Sequence, residues 1–325
     1  MMRSRVAWIV ALVVIVALAA LPFLAEKFVV QFATRVLIMA IFALSLNLLV
    51  GQAGLVSLGH AAYFGLGGYV LALVSPQYAA ASFWLSLPLA LVAAGALALV
   101  IGILVLRTSG VFFIMATLAF SQMLYFLFHD TAIAGGSDGK FIDVRPEAVL
   151  FGWRVFDLEK FAHFHLVVLA LFALVLLFLA GLRASMFGRV LDGIRVNEAR
   201  MQSLGFATFR YKLACFVLGG VLAGLAGYLG AAQFGVVNPE MLGWQLSGAV
   251  LMMVILGGRG SLAGPVIGAA ALLLLELGFQ SVPAVAGFDV GRHWQLPLGI
   301  AIIATALFLP HGIVRVARAA RGGNG

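Results

Sequence analysis

The chain has 325 residues, of which 64% are hydrophobic and only 10% charged, and its mean hydropathy is +1.14. A soluble domain carries roughly 25% charged residues, so the composition excludes a water-soluble fold and predicts an all-α polytopic integral membrane protein. A net charge of +8 would suggest nucleic acid in a soluble chain; here it reads as membrane topology, with lipid rather than nucleic acid as the neighbour. The single cysteine, Cys215, can form no intrachain disulfide and has no second thiol for a metal site.

The N-terminus places Arg3 and Arg5 before the apolar run 6–25. At about 20 residues this run exceeds the 7–15 of a secretory signal, so it reads as a retained first transmembrane helix, with a cleaved signal as the alternative. Using about 20 apolar residues per crossing, ten segments follow, at approximately 6–25, 29–50, 53–74, 83–106, 110–129, 164–182, 213–234, 244–258, 261–280 and 294–311. Segments 53–74 and 244–258 either span or re-enter, because glycine interrupts the first and the second is short.

The stretch Leu46–Val70, LNLLVGQAGLVSLGHAAYFGLGGYV, is the least ordinary part of the chain. It carries Asn47, Gln52, Ser57 and His60 among apolar neighbours and six glycines. A glycine-weakened helix and uncompensated polar groups are unfavourable in a bilayer. Broken backbone there is tolerated only where it packs in protein or lines a cavity. A second glycine-rich interruption, LGGRGSLAGPVIGAA over Leu256–Ala270, lies in the other half. Paired interruptions of this kind point to a transporter binding region. Asn47, Gln52, Ser57 and His60 therefore either line a path or tie helices together.

Charge orients the ten segments. With the N-terminus inside, the inner face holds Arg3, Arg5, Arg107, Arg183, Arg189, Arg195, Arg200, Arg210, Lys212, Arg259, Arg315, Arg318 and Arg321 against Asp192 and Glu198. The outer face holds Lys27, Lys140, Arg145, Arg154, Lys160 and Arg292 against a larger set of acids, Asp130, Glu240 and Asp289 among them. This asymmetry satisfies the positive-inside rule with both termini cytoplasmic. Arg35 and Glu276 remain within spans, each near an outer end, and are expected to snorkel toward the headgroups, with a mutual ion pair as the alternative.

Two loops are long. The outer loop, 130–163, is acidic, and its AGGSDGK run lacks P-loop spacing, so it reads as a turn-rich surface that could dock an external partner. His163 and His165 at its edge have no third ligand in sequence and read as interfacial residues. In the inner loop, 183–212, Val190, Ile194, Met201 and Leu204 follow helical spacing and Gly205 supplies a left-handed C-cap, predicting one short amphipathic helix over Gly188–Leu204. Periodicity leaves two roles open: a basic helix resting on lipid or one inserted in a groove of a cytoplasmic protein. Gly219, Ala223 and Gly227, and likewise Gly260, Gly264 and Gly268, recur every four residues and predict close helix packing. No Walker motif, intramembrane carboxylate relay or catalytic constellation can be picked out, so transport follows by elimination, with an ion-coupled secondary transporter and a lipid-acting membrane enzyme as the other classes.

Three stretches carry a family resemblance. ALSLNLLVGQAGLVSLGHAAYFGLGGYV (Ala43–Val70), GRVLDGIRVNEARMQSLGFATFRYKLACFVLGGVLAGLAG (Gly188–Gly227) and the run from Leu251 to Glu276 resemble, in order and interval, the LivM-type permeases of ABC importers for branched-chain amino acids. The resemblance implies an ABC importer permease fold as one domain over 1–325, in the bacterial inner membrane, without cofactor or enzymatic activity of its own. It implies three kinds of protein partner: a homologous permease subunit completing a heterodimer, two cytoplasmic ATP-binding subunits, and a periplasmic binding protein. It also implies that Gly188, Arg195, Asn197, Glu198, Ala199 and Gly205 form the coupling motif, which turns the inner helix into a docking element. Substrate is less constrained, since similar permeases serve urea or other small amino compounds.

Overall fold

The computed structural model describes residues 2–76, 78–132, 135–150, 153–281, 293–308 and 312–313. Asp289, Arg292, Arg315, Arg318 and Arg321 lie outside the described residues, as do the side chains of Arg3, Arg5 and Arg154. The described chain is a helical assembly: α1 (Met2–Leu24), α2 (Lys27–Asn47), a π-helical turn (Leu48–Ala53), α3 (Ala61–Val74), α4 (Phe83–Val105), α5 (Val111–Asp130), α6 (Phe161–Ala184), α7 (Met186–Val196), α8 (Glu198–Ser203), α9 (Thr208–Phe234), α10 (Trp244–Gly257), α11 (Ala263–Gln280) and α12 (Gln295–Phe308). Helix is the expected solution, because hydrocarbon offers backbone N–H and C=O groups no other partner. Among the described residues six helices are long and apolar enough to cross a membrane: α2 with its π turn, α4, α5, α6, α9 and α11.

The helices divide into a core and a periphery. The apolar window of α2 and the π turn is 89% buried and that of α9 is 72% buried, whereas α5 reaches only 22%. The molecule is therefore organised around α2, α3 and α9, with α4, α5, α6 and α11 presenting apolar flanks outward. Small residues permit the central crossing. A Cβ on Gly227 would collide with the Phe64 carbonyl, and one on Gly67 with the Gly224 carbonyl, so α3 and α9 touch backbone to backbone. Aromatic rings seal the rest: Tyr63 meets Phe216 edge-on at 5.8 Å and Tyr69 stacks on Phe128 at 4.3 Å.

One end of the bundle carries short strands. β1 (Lys140–Phe141) pairs antiparallel with β4 (Val236–Val237), and β2 (Ala148–Leu150) with β3 (Trp153–Phe156). Arg145 fastens this loop by donating to the carbonyls of Ala232 and Leu158, each at 3.1 Å, while its guanidinium lies over Phe161 and Phe164. Burial lowers the Arg145 pKa, and Glu159 opposes that shift. The opposite end carries α7 and α8.

Four expectations are corrected here. The inner amphipathic segment is two helices, because Asn197 leaves helical geometry (φ −158°, ψ 99°) to cap α8 with its side chain, and Leu204 is 66% exposed rather than on a buried face. Arg35 and Glu276 do not reach separately for headgroups: α2 and α11 bring them together at 3.2 Å as a part-exposed ion pair in which each charge compensates the other. His165 is fully buried, not interfacial; its ring joins Thr34 Oγ1 at 2.8 Å and the Leu18 carbonyl at 3.0 Å, linking α6 to α2 and α1. Finally, helix in the segment 53–74 begins only at Ala61.

Candidate translocation and coupling site

The interruption between α2 and α3 is built residue by residue. Gly54, at φ +72°, turns the chain out of the π turn, a conformation a residue with a Cβ adopts only under strain. The freed donors are then met partly within the turn and partly from other helices. Leu55 N–H goes back to the Leu49 carbonyl at 3.0 Å, Leu58 N–H to Thr117 Oγ1 at 3.3 Å, and Ala61 N–H to Ser247 Oγ at 2.8 Å. Thus α5 and α10 each lend a hydroxyl to backbone that the break would leave unsatisfied.

All four polar residues predicted for this stretch are buried, but they do different things. Asn47 bridges the two interruptions: its Nδ2 donates to the Ser261 carbonyl at 3.0 Å and its Oδ1 accepts from Gly260 N–H at 3.1 Å. His60 stacks on Phe42 and approaches Ser45 Oγ at 2.8 Å. The Ser45 hydroxyl donates to the Phe42 carbonyl at 2.7 Å, so the network assigns the imidazole proton to Nε2, and Nδ1 has no hydrogen-bond partner among the described residues. Ser57 Oγ accepts from Gly59 N–H at 3.3 Å. Gln52 Oε1, like His60 Nδ1, is buried and unpartnered among the described residues.

The predicted packing residues also separate. Ala223 is fully buried on α9, and a Cβ on Gly219 would run into Leu49. On Gly264 it would meet Ser261 Oγ at 2.7 Å, and on Gly268 the Gly257 nitrogen at 2.8 Å, so α10 and α11 approach closely there. Gly260 is not a packing residue in that sense. The space where its Cβ would lie is open, and its φ of +82° is what calls for glycine.

At the other end, α7 buries Gly188, Val190, Leu191 and Ile194 on one face. Gly188 sits so close to the end of α6 that a Cβ would stand 2.6 Å from the Arg183 carbonyl. Asn197 Oδ1 accepts from Arg200 N–H at 3.0 Å, Glu198 pairs with Lys212 of α9 at 2.7 Å, and Gly205 closes α8 at φ +86°. Arg195 turns inward and donates to the Gly51 carbonyl at 2.6 Å. The exposed residues are apolar, basic and polar: Val196 (80% exposed), Ala199 and Leu204, Arg195 and Arg200, and Asn197, Gln202 and Ser203. At the strand end a cavity of about 720 Å³ opens between α5 and α10, lined by Gln122, Tyr125, Asn238, Glu240, Trp244 and Gln245 among others.

Several participants escaped the sequence reading. Ser45, Thr117 and Ser247 are lone hydroxyls on apolar helices, and only the distant broken segment reveals their purpose. Among the described residues no group of three or more His, Cys, Asp or Glu side chains could hold a metal.

Crossing helices packed around two bridged interruptions, with an amphipathic helix pair bound to one of them, define a membrane transport protein of the permease class. Comparison with known proteins agrees. The chain belongs to the family of permease components of branched-chain amino acid transport systems, whose family model matches residues 28–306. It is 32% identical to the high-affinity branched-chain amino acid permease LivM of Escherichia coli, over 96% of this chain and 75% of that one. It is also 32% identical to LivM of Salmonella typhimurium, over 91% of this chain and 72% of that one. A shorter likeness, 30% over 45% of this chain and 38% of the relative, links it to the xylose transport permease XylH of Haemophilus influenzae. No solved structure matches. The protein is a multi-pass integral protein of the bacterial inner membrane.

Proposed function

We infer that this chain is the permease subunit of an ABC importer that carries branched-chain amino acids inward, as one domain over 1–325 with ATP hydrolysed by separate subunits. The observation that carries this reading is the joining of α7, the helix facing the aqueous end, to the interrupted helix by the Arg195 to Gly51 bond. A surface loop with no role in transport would have no need to hold a break in a core helix.

The chain crosses the membrane ten times with both termini cytoplasmic, so the α7 and α8 end faces the cytoplasm and the strand end the periplasm. Two ATP-binding subunits dock beneath the heterodimer of this chain and a homologous permease. The exposed Val196, Ala199, Arg200 and Leu204 suit a groove with apolar and acidic walls. Gly188, Asn197, Glu198 and Gly205 set the shape of that surface. A periplasmic binding protein delivers substrate at the strand end. The cavity there suits a zwitterion, with Glu240 for the ammonium, amides for the carboxylate, and Trp244 and Tyr125 for an aliphatic side chain. Asn47 and Ser57 brace the path, while the free acceptors Gln52 Oε1 and His60 Nδ1 leave those two residues able to serve a passing substrate.

Co-purification with an ATP-binding subunit, followed by ATP-dependent uptake of radiolabelled leucine in vesicles, tests this reading. Uptake by this chain alone without ATP would sink it. In the assembled complex, replacing both Glu198 and Arg195 by alanine is expected to abolish substrate-stimulated ATP hydrolysis with normal expression. Unchanged transport in that variant would remove the coupling assignment.

A further inference from the structure

We propose that Arg195 is a positioning residue that carries movement of the inner helix pair into both interrupted helices, so that the breaks after Asn47 and before Ala263 shift as one body. The proposal rests on the importer reading and adds to it the route by which displacement enters the membrane.

The route runs from Arg195 through the π turn to the second interruption. Arg195 Nη1 donates to the Gly51 carbonyl at 2.6 Å. That carbonyl is available because Gly54 turns the chain away and Leu55 N–H bonds Leu49 instead, so a side chain from α7 takes the place of the missing helical donor. The stem of Arg195 lies over Gly54, where a Cβ would stand 3.1 Å from its Cγ, so the contact resists sideways slip as well as separation. Asn47, one turn before Gly51, then grips the second interruption through Gly260 N–H and the Ser261 carbonyl. Gly51 itself abuts that loop, for a Cβ there would stand 3.0 Å from the Gly260 nitrogen.

A chain of contacts becomes a transmission only if it contains an element with more than one arrangement. That role falls to the π turn Leu48–Ala53, whose hydrogen bonds run one residue longer than those of the α-helix it continues; single π turns cluster at functional sites. Glycine at positions 51 and 54 removes the side chains that would lock one register. The Arg195 side chain is itself 43% exposed and lies 3.9 Å from Asp192; what sets it apart from its exposed neighbours Val196, Ala199 and Arg200 is the inward bond to Gly51.

The test uses the assembled complex in lipid nanodiscs, with Cys215 replaced by alanine. Spin-label pairs report two distances, from α8 at position 202 to α4 at position 99, and from position 259 to position 99. In the wild type, ATP is expected to change both. In Arg195→Met, which keeps the unbranched stem and removes the donors, the ATP-binding subunit still co-purifies and the α8 distance still responds. The 259 distance stops responding, and leucine uptake in vesicles falls at least tenfold. Arg195→Lys, retaining one cationic donor, restores part of both. An Arg195→Met complex in which position 259 moves as in wild type overturns the proposal alone, as does loss of the ATP-binding subunit from that variant, which would make Arg195 a docking residue. A wild-type complex in which ATP moves neither pair overturns the importer reading and this proposal with it.

Discussion

Removing the Asn47 amide puts a number on the bridge between the two interruptions. Asn47→Leu keeps the number of side-chain heavy atoms and the branch at Cγ but strands the Gly260 N–H and the Ser261 carbonyl, each now bonded within 3.1 Å. A buried polar group left unsatisfied costs roughly 1–3 kcal/mol, or about 2–6 for the two. In membranes the unfolded reference also finds partners, and measured side-chain bonds average only about 0.6 kcal/mol. Because Asn47 is 5% exposed and both partners are backbone groups, the expected loss lies near the low end of the first range, about 2 kcal/mol. Unfolding in mixed micelles, followed by circular dichroism against denaturing detergent, measures it. Gly51→Ala supplies an internal check. Its Cβ would stand 2.8 Å from Asn47 Oδ1 and would displace the same amide. The two substitutions together should therefore cost clearly less than their separate effects added. A loss under about 0.5 kcal/mol for Asn47→Leu, or strict additivity with Gly51→Ala, would refute the bridge.

Helix packing predicts opposite outcomes for one substitution at two places. Gly227→Ala drives a methyl into the Phe64 carbonyl and should lose about 1–3 kcal/mol or fail to express. Gly181→Ala meets open space on α6 and should be neutral or gain up to about 1 kcal/mol, both read as midpoint shifts in the same micelle assay. The Arg35 and Glu276 pair, at 36% and 15% side-chain exposure, should show a coupling of no more than about 1 kcal/mol in a double-mutant cycle with Arg35→Met and Glu276→Gln. Zero coupling would mean that each charge is solvated independently. Glu240→Gln should weaken leucine uptake about fivefold in KM, as expected for losing one ion pair of about 1 kcal/mol near water. An unchanged KM would exclude the carboxylate from the substrate's path.

Membership of a membrane class was decided by composition, since a chain with so few charges and such apolar runs has no soluble fold open to it. The sequence also marked Leu46–Val70 and Leu256–Ala270 as paired interruptions, because glycine and amide side chains inside apolar runs need a local reason. Gly205 and its left-handed cap were likewise visible, the requirement being confined to one residue's backbone. Long-range partnership was not. Nothing local says that Asn47 meets Gly260 and Ser261, that Arg35 meets Glu276, or that Thr34 and Leu18 take up His165, since each pairing depends on how helices distant in sequence cross. The single inner helix expected from periodicity became two for a related reason. Apolar spacing continues across Asn197, but the side chain of Asn197 satisfies the first donors of α8 better than a helical residue could. Spacing along the chain determined which faces are apolar, and only packing determined which polar groups in those faces would find one another.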